Sequence, residues 1–132
     1  MENNKDLVQV QETQKASWDE ALEKESWVGP LVDIYETEDA YTLIADMPGV
    51  SKDNVRIKLE DGELVIMGRI DYYDRTGKNY ILNETQIGNY YRKFHISDGV
   101  DDSKIDARLE NGQLKIHMPK HERLKPKNIE IK

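Results

Sequence analysis

Apolar residues fall at every second position through Ile105, Ala107 and Leu109, with Asp106, Arg108 and Glu110 between them. After Asn111-Gly112 the alternation resumes at Leu114, Ile116 and Met118. Side chains along a strand point alternately to opposite faces, so period two marks a half-buried strand. Asn-Gly between two such runs predicts a tight hairpin, because both residues tolerate positive φ. The pattern occurs a second time: Val55, Ile57 and Leu59 precede Asp61-Gly62, and Leu64 and Ile66 follow it, offset by 50 residues. Two copies do not make a solenoid, and we read them as two corners of one β domain.

The rest of the chain fits the same reading. Residues 32–36 and 41–46 are strand-like, and Met47-Pro48-Gly49-Val50 is a turn, since Pro fixes φ and Gly supplies the unusual one. Residues 69–89 form a polar, Tyr-bearing insertion too long for a structureless loop in a compact domain, so a short strand of its own is expected there. Residues 90–96 read as a strand that Gly99 breaks, and Pro119 stops strand pairing. About seven or eight short strands at roughly 8–12-residue spacing predict an all-β, immunoglobulin-like antiparallel β-sandwich. Residues 1–30 read as a short N-terminal arm, partly helical or disordered, 31–118 as the domain, and 119–132 as an extended C-terminal tail. In the arm, Ser17 and Glu20 have capping-box spacing. A helix starting there would place Trp18, Ala21, Leu22 and Glu25 toward one face, but so short a helix holds only if that face packs on something. Trp18, Leu22 and Trp27 are therefore candidates for client or inter-subunit contact in an otherwise polar arm.

Composition narrows the function. The formal charge of −7 over 132 residues disfavours nucleic acid and anionic membrane as partners. No stretch approaches the ~18 apolar residues of a membrane span, and the polar N-terminus lacks the apolar core of a signal peptide. With no cysteine, the chain fits a reducing compartment, and a cytoplasmic location is expected. Asn83-Glu84-Thr85 matches a glycosylation sequon, which without a secretion signal reads as coincidence. His117 and His121 have the helical spacing of a zinc pair, but Pro119 lies between them and His117 continues a strand pattern. His95 reads as a strand-surface residue. Neither Asp101-Asp102 nor Asp71 with Asp74 has the spacing of a calcium loop. None of Ser17, Ser26, Ser51, Ser97 and Ser103 sits in a nucleophile elbow, and no Gly-rich phosphate cradle exists. No catalytic, metal or cofactor-binding residue is expected, and no requirement for ATP.

The tail carries a motif of a different kind. Ile129 and Ile131 are two apart, so an extended segment points both the same way while Glu130 and Lys132 stay wet. Pro126 biases Lys125 toward extended backbone. Such a segment suits a sheet edge with a groove for alternate side chains. The candidate groove lies between Val55, Ile57 and Leu59 of one hairpin copy and Ile105, Ala107 and Leu109 of the other, where Ala107 leaves room for an isoleucine. In the insertion, Tyr73, Tyr80, Ile81 and Leu82 have no evident place on their own domain. Exchange of this segment between two subunits would use them and would cover a sheet edge.

Together these residues resemble a known family. Ala107-x-x-x-Asn111-Gly112-x-Leu114 looks like the signature of the small heat-shock proteins, the α-crystallin family. Val32-Asp33-Ile34-Tyr35-Glu36 and Ala45-Asp46-Met47-Pro48-Gly49-Val50 resemble the opening strands and turn of its bacterial and plant branch. Tyr91-Arg92-Lys93-Phe94 resembles the strand bearing the family's arginine, and Ile129-Glu130-Ile131 is similar to its terminal Ile-x-Ile motif. The match runs in order from about residue 31 to 132. It departs in a short arm, and in Ile96-Ser97-Asp98, where a Leu-Pro pair is common. The resemblance implies an α-crystallin domain and a non-enzymatic, ATP-independent holdase that keeps partly unfolded proteins from aggregating under stress. It also implies a homodimer formed by exchange of the insertion, with Arg92, Tyr72, Tyr73, Tyr80 and Ile81 at the interface, and higher oligomers held by tails docked on neighbouring dimers. The alternative is a sandwich adaptor or co-chaperone without client binding. Such a protein would lack the Ile-x-Ile motif, so Ile129 and Ile131 argue against it.

Overall fold

A computed structural model describes residues 17–96 and 99–132. The two Gly-containing turns close hairpins as their residues dictate. Asp61 and Asn111 both have φ of 51°, and the glycines that follow have φ of 75° and 76°. Positive φ at both central positions matches the right-handed twist of the flanking strands. The strands they join are β4 (Val55–Glu60) with β5 (Glu63–Gly68), and β7 (Asp106–Glu110) with β8 (Gln113–Pro119). Pairs Glu60 with Glu63 and Glu110 with Gln113 flank the turns.

The other strands are β1 (Trp27–Val28), β2 (Val32–Glu36), β3 (Ala40–Asp46) and β6 (Asn89–His95). They complete a sandwich of two four-stranded sheets, one ordered β1-β6-β5-β4 and the other β2-β3-β8-β7. Every pairing is antiparallel except that of β1 with β6, which is parallel. Leu43, Ala45, Met47, Leu64, Ile66, Leu114, Ile116 and Met118 form the core, joined by Val100. Alternation is cleanest in β8, a central strand, where Leu114, Ile116 and Met118 are buried and Gln113, Lys115 and His117 are exposed. Strands β4 and β7 are edges. Their inward residues Val55, Ile57, Leu59 and Leu109 are only half-buried, and Ala107 is exposed.

Two expectations are corrected. Among the described residues the insertion holds no strand. It holds a short helix, α2 (Tyr72–Thr76). A strand needs a neighbouring edge for its backbone groups. Here the segment satisfies them locally, with Arg75 donating to the carbonyl of Asp71 at 3.1 Å and Gly77 to that of Tyr73 at 2.9 Å. The arm helix α1 (Trp18–Lys24) starts at Ser17, whose hydroxyl accepts from the Glu20 N–H at 3.2 Å. Its inward face, however, is Trp18, Ala21 and Glu25, with Ala21 and Glu25 buried and Leu22 exposed. Leu22 lies at the margin of that stripe on a 3.6-residue helix, so the packing surface misses it. Strand β1 also pairs into the sandwich from inside the segment read as arm.

Candidate functional site

Edge strands β4 and β7 of the two sheets run along one side of the sandwich, and an apolar groove of about 340 Å³ lies between them. Val55, Ile57, Ala107 and Leu109 line it, with Leu114 beneath and Lys52, Arg108 and Glu110 adding charge around it. Two of the six expected groove residues fall elsewhere. Leu59 lines a separate cleft with Ile96 and Val100, and Ile105 packs partly buried against the core. Leu114 was not foreseen as lining, because it is a buried residue of β8 paired with Leu109, and alternation assigns such a residue to the core.

The tail leaves from the far end of β8. Its root is held by backbone bonds from Lys120 to the Asp39 carbonyl and from His121 to the Gly99 carbonyl, each 2.8 Å. The Lys120 ammonium donates to Glu36 at 2.6 Å. This hydrogen bond, with the lysine's charge, holds the Glu36 carboxyl below its ordinary range. The same bond raises the Lys120 ammonium. A 3₁₀ turn (Glu122–Leu124) follows, and beyond it the tail has no regular structure. Ile129 and Ile131 are 87% and 94% exposed, so neither is seated in a groove of its own chain.

Around the insertion, Ile81 and Leu82 stand out in solvent. Tyr72 and Tyr73 meet edge to face, with centroids 5.3 Å apart, and the Tyr80 hydroxyl donates to the Arg75 carbonyl at 2.8 Å. Burial, then the neighbouring charge of Glu25, pushes the Tyr73 phenol up. Arg92 lies exposed on β6. It donates to the Pro30 carbonyl at 3.3 Å, and its guanidinium sits 4.8 Å from the Phe94 ring centre.

Both tryptophans turn toward their own sandwich. The Trp27 indole N–H donates to the Ala21 carbonyl at 2.8 Å, and its ring meets Tyr91 edge-on. Trp18 lies under the guanidinium of Arg56 at 4.6 Å. Sequence reasoning missed a buried polar cluster beside them, Glu25, Arg69 and Asn89. Glu25 is 44 residues from Arg69 and 64 from Asn89, and no periodicity links positions that far apart.

Among the described residues, no group of three or more His, Asp or Glu side chains is placed to hold a metal. No described helix is long and apolar enough to cross a membrane.

Comparison with known proteins bears on this geometry. The sequence model of the Hsp20/alpha crystallin family matches residues 33–132. The 18 kDa heat shock protein of Clostridium acetobutylicum is 41% identical over 92 residues, which are 67% of this chain and 60% of that protein. The 17.7 kDa class II heat shock protein of Arabidopsis thaliana is 34% identical over 105 residues, 75% of this chain and 67% of that one. A small heat-shock protein from Xylella fastidiosa, whose crystal structure is described as a distinct high order structure, superposes with a TM-score of 0.66 at 28% identity. That superposition covers 81% of this chain and 99% of that one. The two four-stranded sheets are thus the sandwich of solved small heat-shock proteins.

Proposed function

Because the chain belongs to the Hsp20/alpha crystallin family, whose members are non-enzymatic chaperones, we propose that it is an ATP-independent holdase of the cytoplasm. It would bind partly unfolded proteins and keep them from aggregating. The observation that carries this reading is apolar surface left outside a closed core. Isoleucines at Ile81, Ile129 and Ile131 are almost fully exposed, and an apolar groove lies open between β4 and β7. A monomer rarely leaves such surface uncovered unless something binds it. Net negative charge would keep a loaded complex in solution.

The tail is the groove's natural first occupant. Ile129 and Ile131 present two alternate side chains, and Glu130 and Lys132 can meet Lys52, Arg108 and Glu110 around the groove. Exchange of the insertion between two subunits would give Tyr80, Ile81 and Leu82 the cover they lack here and bring Arg92 to the interface.

The test is light scattering from a heat-denatured model client, such as citrate synthase, without nucleotide. Stoichiometric amounts of the chain should suppress the scattering. Unchanged client aggregation at a several-fold molar excess would remove the holdase reading.

A further inference from the structure

Three polar side chains are buried where the arm meets the sandwich. The Glu25 carboxylate accepts from the Asn89 amide nitrogen at 2.8 Å and faces the Arg69 guanidinium at 3.3 Å. The Glu25 and Arg69 side chains are 0% and 6% exposed. The Asn89 side-chain oxygen accepts the Ile70 backbone N–H at 3.0 Å. Arg69 follows the last residue of β5, and Asn89 opens β6, so Glu25 ties the arm to both stems of the insertion. Removing one member of a buried ion pair strands the other's charge in a dry site, which costs far more than the intact pair contributes.

The same arm segment covers a sheet edge. Strand β1 pairs with β6 through Trp27 to Asn89 and Val28 to Tyr90, and the Asn89 N–H donates to the Ser26 carbonyl at 2.9 Å. Beyond those two positions, residues 91–95 of β6 have no paired strand on that side among the described residues. An open edge is a template for another strand, and β1 itself shows the chemistry this one accepts: an extended Trp-Val pair, its indole against Tyr91.

We propose that α1 and β1 form a displaceable plug on the edge of β6, latched by Glu25, and that the released edge takes an extended apolar segment of a partly unfolded polypeptide. The proposal rests on the holdase reading. A latched plug lowers apparent client affinity by the fraction of molecules in which it is released. Weakening the latch therefore tightens client binding.

Glu25→Gln keeps an acceptor for Asn89 but replaces the carboxylate that faces the Arg69 guanidinium with a neutral amide. On the scale of buried pairs this shifts the docked-to-released ratio on the order of a hundredfold. Glu25→Gln/Arg69→Met removes both charges and should dock again. Trp18 and Trp27 are the only two tryptophans, so acrylamide quenching reads the plug directly. Quenching should rise in the single variant and return in the double. Fluorescein-labelled reduced, carboxymethylated α-lactalbumin serves as a permanently unfolded probe. It should bind the single variant at least tenfold tighter than wild type, with hydrogen-exchange protection gained at residues 89–95, and bind the double variant as wild type. Equal quenching in the three proteins, or protection away from β6, overturns the proposal. In wild type, quenching and amide exchange at Ile70 and Asn89 should rise together on heating, below the midpoint of global unfolding. This decides the case even if the single variant does not fold, and a rise only at global unfolding counts against the plug. A wild-type chain that never suppresses aggregation defeats the holdase reading, while quenching and exchange still report whether the latch exists.

Discussion

At the scale of single residues, turn chemistry was legible and paired charge was not. Asn111-Gly112 and Asp61-Gly62 announced their backbone by residue type alone, because few other pairs adopt positive φ twice in succession. Glu25, Arg69 and Asn89 announced nothing, since a buried polar side chain is defined by distant partners. Glu36 and Lys120 are a milder case, joined only when the chain brings the start of the tail against β2. Their shifts set a pH window. The Glu36 carboxyl lies below its ordinary value when folded, so its stabilising share is present above the ordinary glutamate range and is lost as pH falls through the lowered folded value. The Lys120 ammonium lies above its ordinary value, so its share is present below the ordinary lysine range and is lost as pH rises through the raised folded value. Thermal melts of wild type and Glu36→Gln should therefore differ between these limits and converge toward acid, with less difference in high salt because Glu36 is exposed. A difference that persists in strong acid would rule out this pair as its source. Arg92 carries a second prediction. Its guanidinium is exposed and, among the described residues, is held by a carbonyl and a ring, so its fork remains able to take a carboxylate from another subunit. Arg92→Ala should raise the dimer dissociation constant about tenfold or more, the scale of a charge-assisted bond. Sedimentation equilibrium showing an unchanged constant would return Arg92 to a role within its own chain.

At the scale of elements, the hairpin strands were legible because they carry their own period, as β8 does at Leu114, Ile116 and Met118, whereas the two-residue β1 went unread within the arm. The insertion was not. Tyr72, Tyr73, Tyr80 and Ile81 have strand-forming residue types, yet residues 72–76 wind into a helical turn, since a strand's backbone bonds must come from a neighbour and a turn's need not. The arm helix was legible at its cap and misread on its face, because the cap is local and the face depends on where Trp18 and Glu25 find partners. The insertion's conformation is therefore predicted to depend on a second copy. Deleting residues 72–79 removes α2 and shortens the exposed apolar tip, while Arg69, Ile70 and Asn89 stay in place at the stems. The far-UV spectrum of the sandwich should survive, and light scattering coupled to gel filtration should give a monomer's mass. A shortened chain that dimerises with wild-type affinity would place the dimer contact elsewhere on the sandwich.

At the scale of the whole molecule, the tail and the groove are complementary but lie at opposite ends of β8. Leu114 underlies the groove and Pro119 marks the tail's root, five residues apart, or about 17 Å along a strand. Beyond the 3₁₀ turn, four residue steps from Lys125 to Ile129 span at most about 14 Å. A tail doubled back onto its own groove has little chain to spare, whereas a tail continuing outward would be placed to reach a neighbouring subunit. Burying two isoleucines contributes about 3–6 kcal/mol gross, and ordering the tail costs roughly 1–2 kcal/mol per backbone residue fixed. A single docking is therefore weak, and an assembly must rest on several at once. On the proposed docking, that weakness would let tails leave, uncover the groove and exchange between partners without unfolding the sandwich, whose core includes neither isoleucine. Changing both Ile129 and Ile131 to Ser should thus leave the thermal midpoint of the domain in place and reduce the assembly to dimers by light scattering coupled to gel filtration. Adding back a peptide of residues 125–132 should compete with intact tails in wild type and shift its mass downward as the concentration rises. If the double variant elutes at the wild-type mass, or the peptide leaves the assembly untouched, the tail does not hold the oligomer together.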